Sequence, residues 1–166
     1  MMSPKSMARP LPLDLFAKEK TMSDMKSRKT PLHLWIIGGL ALLWNLMGAV
    51  DYVLTMTRNE AYMSHFTAEQ LEFFYGFPAW VVALWAIAIW GGLLGIILLL
   101  LRRKRAVPVL VVSFACMAAT MIHNYGFAGG AEISGGSGII FSMVVFLVSL
   151  ALIFYSRAMA RKGVLS

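Results

Sequence analysis

Val81-Val82-Ala83-Leu84-Trp85-Ala86-Ile87-Ala88-Ile89-Trp90-Gly91-Gly92-Leu93-Leu94-Gly95-Ile96-Ile97-Leu98-Leu99-Leu100-Leu101 carries no charge and no Ser, Thr, Asn or Gln. A helix with one face in water needs polar side chains at helical period, so the solvent of this stretch is not water. Pro78 to Leu101 is therefore a predicted span. Three more follow the same logic: Leu32 to Met56, Val107 to Phe127 and Gly138 to Tyr155. Each is near or above the roughly 18 apolar residues that mark a transmembrane helix. With 59% apolar and 14% charged residues in a chain of 166, little is left for a second sizeable domain. The expected fold class is an all-α membrane protein, a four-transmembrane-helix up-down bundle over residues 32–156. It is flanked by a flexible basic tail over residues 1–31 and a C-terminal tail over residues 157–166.

Charge placement predicts orientation. Lys5, Arg9, Lys18, Lys20, Lys26, Arg28 and Lys29 precede the first span, Arg102, Arg103, Lys104 and Arg105 form the turn between the second and third, and Arg157, Arg161 and Lys162 follow the fourth. Only Arg58 falls on the other side, beside Glu60, Glu69, Glu72 and Glu132. Basic loops stay in the cytoplasm, so both termini are expected there. The same clusters account for the net charge of +7 as lipid-facing cations, without nucleic acid as a partner. The lone Cys116 excludes a disulfide within the chain and CxxC chemistry.

The first thirty residues hold Pro4, Pro10, Pro12 and scattered Lys and Ser without an apolar period, which predicts a cytoplasmic tail. The first span is too long for a cleaved signal peptide and reads as a retained anchor. Met1 and Met22 are both candidate starts. In the first outer loop, Thr67-Ala68-Glu69-Gln70 has the spacing of a capping box, with Gly76 as a stop and Leu71, Phe74 and Tyr75 on one face, which predicts a short interfacial helix. Gly129, Gly130, Gly135, Gly136 and Gly138 are expected to make a flexible crossover into the fourth span.

Polar side chains inside hydrocarbon need a partner or a wet cavity. On the first span Trp44, Gly48, Asp51 and Thr55 share a stripe with Asn45 and Tyr52 beside it. On the third, Ser113, Met117, Thr120 and Asn124 align, flanked by Cys116 and His123. Asp51 and His123 lie at similar depth, so a contact between them is expected. A carboxylate at the bilayer centre costs about 2.5–3.5 kcal/mol and an interhelical polar contact returns about 1 kcal/mol. Asn45, Asp51, Tyr52, His123 and Asn124 thus form either structural glue or a solute or proton site. Gly91 and Gly95 form a GxxxG for close helix packing, within the bundle or between copies.

His65, Glu69, Glu72, His123 and Glu132 are scattered single ligands rather than a metal motif, and no cofactor is expected. The twelve methionines do not cluster. No nucleophile with a base, phosphate loop or acidic dyad appears, so no enzyme is predicted.

Trp44-Asn45-Leu46-Met47-Gly48-Ala49-Val50-Asp51-Tyr52, Thr57-Arg58-Asn59-Glu60-Ala61-Tyr62, Phe73-Phe74-Tyr75-Gly76-Phe77-Pro78-Ala79-Trp80 and His123-Asn124 resemble an uncharacterised family of small four-span bacterial inner-membrane proteins. Some of its members are labelled sugar transporter. The resemblance covers about residues 30–156 and brings no active residues with it. Two functions follow as expectations. One is a non-enzymatic accessory, assembly or envelope-associated component, with lipid, a second copy or other membrane proteins as partners. The other is a small-solute transporter, for a sugar or a proton-coupled metabolite, working as an oligomer. A filled bundle favours the first, and a cavity from the outer loop past Asp51 favours the second.

Overall fold

The computed structural model describes residues 30–166. The tail expected over residues 1–31, except Thr30 and Pro31, and the choice between Met1 and Met22 lie outside the described residues. All regular structure among the described residues is helical: α1 (Leu32–Met56), α2 (Glu60–Met63), α3 (Ala68–Tyr75), α4 (Ala79–Leu100), α5 (Ala106–Gly126) and α6 (Gly130–Arg161). At 25, 22, 21 and 32 residues, α1, α4, α5 and α6 are long and apolar enough to cross a bilayer. Their outward faces carry Leu40, Leu43, Ile140 and Leu147, each more than 60% exposed, a surface suited to lipid and not to water. The chain is a multi-pass membrane protein.

Helix ends are set by backbone capping. Arg58 N–H donates to the Thr55 carbonyl and Asn59 N–H to the Leu54 carbonyl, closing α1 with Arg58 in the left-handed region at φ 52°. The same bond pair closes α4 through Arg102 at φ 59° and α6 through Gly163 at φ 69°. Glycine is the usual residue there, and a side chain costs roughly 1–2 kcal/mol. Both arginines put theirs to use: the Arg58 guanidinium stands 4.3 Å from the Tyr75 ring centroid, and Arg102 Nε donates to the Val164 carbonyl.

Small residues bring neighbouring helices together. Along α1 and α4, Gly38 meets Leu100, Asn45 meets Gly92, Gly48 meets Ile89 and Tyr52 meets Trp85, one number rising as the other falls. Between α4 and α5, Gly91 and Gly92 lie against Ser113 and Gly95 against Leu110. Ser113 Oγ donates to the Ala88 carbonyl at 2.6 Å. The GxxxG pair therefore packs within the chain. Between α5 and α6, Tyr125 bonds Ser142, and Phe114 packs on Phe146. Among the described residues, α1 and α6 meet through the His33–Tyr155 hydrogen bond and the Trp44–Phe141 ring contact.

The contiguous apolar core lies at the end that carries the Arg102–Arg105 hairpin. Leu34, Ala41, Ile96, Leu99, Leu110, Leu152, Ile153 and Met159 fill it from all four long helices. The C-terminal residues belong to it: Val164 is 6% and Leu165 1% exposed. Ser166 N–H donates to the Arg102 carbonyl at 2.6 Å, and Lys104 N–H to the Ser166 carbonyl at 3.0 Å. The segment expected as a tail after residue 156 is helical to Arg161 and then folds back against the hairpin.

The fourth span also starts earlier than expected. Gly129, left-handed at φ 69°, accepts at its carbonyl from Glu132 N–H and opens a helical turn, so the glycine run is helical on both sides of Gly135. Gly135 breaks the helix at φ 61°, ψ −175°, a conformation almost confined to glycine. α3 begins as predicted, with the Thr67 hydroxyl accepting from Gln70 N–H and the Gln70 side chain accepting from Thr67 N–H. Its packed face includes Phe73 besides Leu71, Phe74 and Tyr75.

Candidate functional site

Away from the hairpin end the four long helices enclose a cavity of about 790 Å³. Three stripes at helical spacing line it: Trp44, Gly48 and Asp51 on α1, Ser113, Met117, Thr120 and Asn124 on α5, and Ser134, Ser137, Phe141, Val145 and Ser149 on α6. Gly92, Leu110 and Leu152 form its deep end, where the last two join the apolar core. Phe66, Gln70, Phe73, Phe74 and Phe77 line it at the opposite end. This aromatic group is held edge to face, Phe66 on Phe74 at 5.7 Å and Phe73 on Phe77 at 4.9 Å between centroids. The capping box fixes α3, and Gln70 Nε2 reaches the Ile133 carbonyl at 3.5 Å, which ties the group to the start of α6. Gly130 fits beneath Phe73 because it has no side chain: a methyl group there would stand 3.0 Å from the ring and 2.7 Å from the Asn124 carbonyl oxygen.

Asp51 is half-buried on the cavity wall, and the Tyr62 hydroxyl donates to its Oδ1. The contact follows from a chain reversal. α1 ends at Met56 and is closed through Arg58, Asn59 caps α2 by accepting from Tyr62 N–H at 3.1 Å, and that single turn carries Tyr62 back over Asp51. Burial, the hydrogen bond to Asp51 and its negative charge push the Tyr62 phenol up to about 12. The phenol is therefore a neutral donor throughout the physiological range. Asp51 and Tyr62 also border a second, apolar groove of about 360 Å³ on the outward face of α1, with Leu43, Leu46, Met47 and Val50.

The expected contact between Asp51 and His123 is replaced by the Tyr62 bond. His123 lies beside the α5 stripe, about 100° around the helix from Asn124. It packs edge to face on Trp80 at 5.0 Å and Phe77 at 6.3 Å, with a 3.4 Å contact between its Nδ1 and Asn124 Oδ1. Tyr52 is similarly turned from Asp51 and meets Trp85 and Trp90 on α4. Of the five polar residues singled out, Asn45, Asp51 and Asn124 line the cavity, whereas Tyr52 and His123 serve helix packing. Asn45 Nδ2 donates to the Ala41 carbonyl, which leaves its Oδ1 near Gly92 at the deep end.

Several polar groups on the wall have internal partners: Thr120 with the Cys116 carbonyl, Tyr125 with Ser142, and Ser149 with Met117 sulfur. Ser134 and Ser137 have no such bond among the described residues. Among those residues no three His, Cys, Asp or Glu converge as metal ligands. Sequence reasoning misses the α6 serines and Phe66, although the 134, 137, 141, 145, 149 spacing is itself a helical stripe; Phe74 is expected on the packed face of the short helix, not on a cavity wall. No protein-family model, curated protein or solved structure matches the chain.

Proposed function

We propose that this protein binds a small amphipathic solute in the cavity between its four long helices and serves as a carrier, or as the binding component of one. The observation that supports this best is the 790 Å³ hollow running from Gln70 and Phe73 past Asp51 to Gly92 and Leu110. Ligand sites of this size combine apolar and aromatic walls with a few placed polar groups, as here. An accessory component acting through helix contacts needs no such hollow. Intramembrane carboxylates and amides facing a cavity are, by their cost in hydrocarbon, markers of solute pathways.

Orientation is part of the proposal. The basic hairpin lies at the cytoplasmic face with both termini, the bundle runs up-down-up-down through a bacterial inner membrane, and α3 lies in the outer interface. The cavity then belongs to the outer half, and the filled core seals the inner half.

The test uses Ser142→Cys and Ser149→Cys in a Cys116→Ala background, with Leu147→Cys as a lipid-facing control. A membrane-impermeant thiol reagent added outside should label the first two and spare the third. Small molecules extracted from the purified wild-type protein should be missing from a Ser149→Trp protein, whose indole fills the cavity. Absence of labelling at both cavity positions, or identical extracts from the two proteins, would refute the proposal.

A further inference from the structure

The cavity has an unusual charge inventory. Among the described residues Asp51 is the only carboxylate on its wall, and no Lys, Arg or His lines it. Two basic groups on neighbouring segments are engaged elsewhere, His123 against Trp80 and Phe77 and Arg58 over Tyr75. Tyr62 supplies one hydrogen bond to Asp51 Oδ1 and no positive charge. A carboxylate kept in a membrane cavity without a counter-cation is costly, and a ligand can supply what the protein withholds. The same cavity is lined by the rings of Trp44, Phe66, Phe74, Phe77, Trp85 and Phe141. Aromatic rings attract cations through their quadrupole, and the attraction strengthens when water is excluded.

These features separate ligand classes. An anion would find no donor cation and would meet Asp51. An inorganic cation needs several oxygen ligands converging on one point to replace its hydration, and among the described residues no second carboxylate stands with Asp51 on the wall. We infer that the cavity takes a monovalent organic cation with an apolar body, its charge held at Asp51 and its body against the aromatic wall. This deepens the function proposed above and rests on the cavity being the binding site.

Tetraphenylphosphonium and tetraphenylborate, nearly identical in shape and opposite in charge, are the probes. Purified protein in nanodiscs of zwitterionic lipid should bind tritiated tetraphenylphosphonium saturably, and excess tetraphenylborate should not displace it. Asp51→Asn should weaken binding at least tenfold. Its remaining oxygen can still accept from Tyr62, which preserves the fold at that point. Tyr62→Phe, which keeps the carboxylate and removes its donor, should retain binding.

Equal affinity in Asp51→Asn, or equal competition by tetraphenylborate, overturns the inference. If sucrose, a neutral solute, binds wild type and Asp51→Asn alike while the phosphonium does not bind, the cation assignment falls and the cavity stands. If no probe binds and the cavity cysteines stay unlabelled, both fall.

Discussion

Substituting Gly95 by valine tests the joint between the filled and hollow halves. A methyl group built on Gly95 would stand 2.6 Å from Leu110 Cδ2 and 2.7 Å from its Cγ. Ordinary carbon contacts lie at about 3.5–4.0 Å, so Leu110 must yield by roughly 1 Å. Leu110 is 5% exposed and packed among core residues, so the direction left to it is the cavity it lines. Overpacking of this kind costs about 1–3 kcal/mol, and valine adds two carbons beyond the methyl, which places it in the upper part of that range. Relief of the glycine helix penalty returns a few tenths of a kcal/mol. The expected loss is about 2 kcal/mol. Gly39→Val is the control, because a methyl group there meets nothing within 4 Å, and exposed substitutions of that kind shift stability by about 0.5 kcal/mol or less.

The assay is SDS-induced unfolding of the bicelle-reconstituted protein, followed by tryptophan fluorescence, with size-exclusion chromatography in parallel. Gly95→Val should unfold at a lower SDS fraction and Gly39→Val should track wild type. If the two variants unfold together with wild type, the α4–α5 contact is not as described. If Gly95→Val keeps its unfolding midpoint but converts a dimer to a monomer, the GxxxG face joins copies instead of helices of one chain.

Thr67→Ala removes the α3 cap at a cost of about 1 kcal/mol, and hydrogen exchange should show the Gln70 amide opening faster while α4 and α5 keep their protection. Leu165→Ala removes a side chain that is 1% exposed; we expect a loss of about 2 kcal/mol, the low end for buried leucines, because the segment lies at the edge of the core. It should also speed exchange at the Lys104 amide, which bonds Ser166. The Tyr62 phenol is raised from 10.0 to about 12, so its contribution to stability is complete below pH 10 and is lost as pH rises through 12. The phenolate absorbance of wild type minus that of Tyr62→Phe should titrate near 12, and a midpoint near 10 would mean that the Asp51 contact is absent.

Much of the fold is legible in the letters because hydrocarbon tolerates so few arrangements. α1 spans the predicted Leu32–Met56, and α4 and α5 differ from expectation by one residue at each end. The α3 capping box is equally readable, since it is a four-residue contact. α6 is less so: a glycine-rich segment has weak intrinsic preference, and helix forms on both sides of Gly135 only because Gly130 seats under Phe73 and Glu132 closes a turn on Gly129. The site divides the same way. The stripes on α1 and α5 run along the cavity wall except at Thr55, but Tyr52 and His123, each one residue off a stripe, are rotated by about 100° onto α4. Tyr62 could not be placed from spacing alone, because its approach to Asp51 depends on a left-handed arginine and a four-residue helix that reverse the chain.

The uneven filling of the bundle bears on what kind of solute protein it can be. At the hairpin end α1 and α6 are joined by the 2.7 Å bond between His33 and Tyr155, and the C-terminal residues lock onto Arg102 and Lys104. At the other end the link between the same two helices is a tilted Trp44–Phe141 contact with centroids 6.1 Å apart, and Phe141 remains 60% exposed. Parting α1 from α6 therefore costs least beside the cavity and most at the hairpin end. A solute with an apolar body can use that seam without disturbing the core. Passage to the opposite face requires the leucine-filled half to open, and the small-residue joints of α4 with α1 and α5 offer sliding surfaces there, not a pre-formed path. The proposed binding site is thus present in the fold as it stands. Translocation demands a second arrangement of the same helices, in which the core around Leu99, Leu110 and Leu152 gives way.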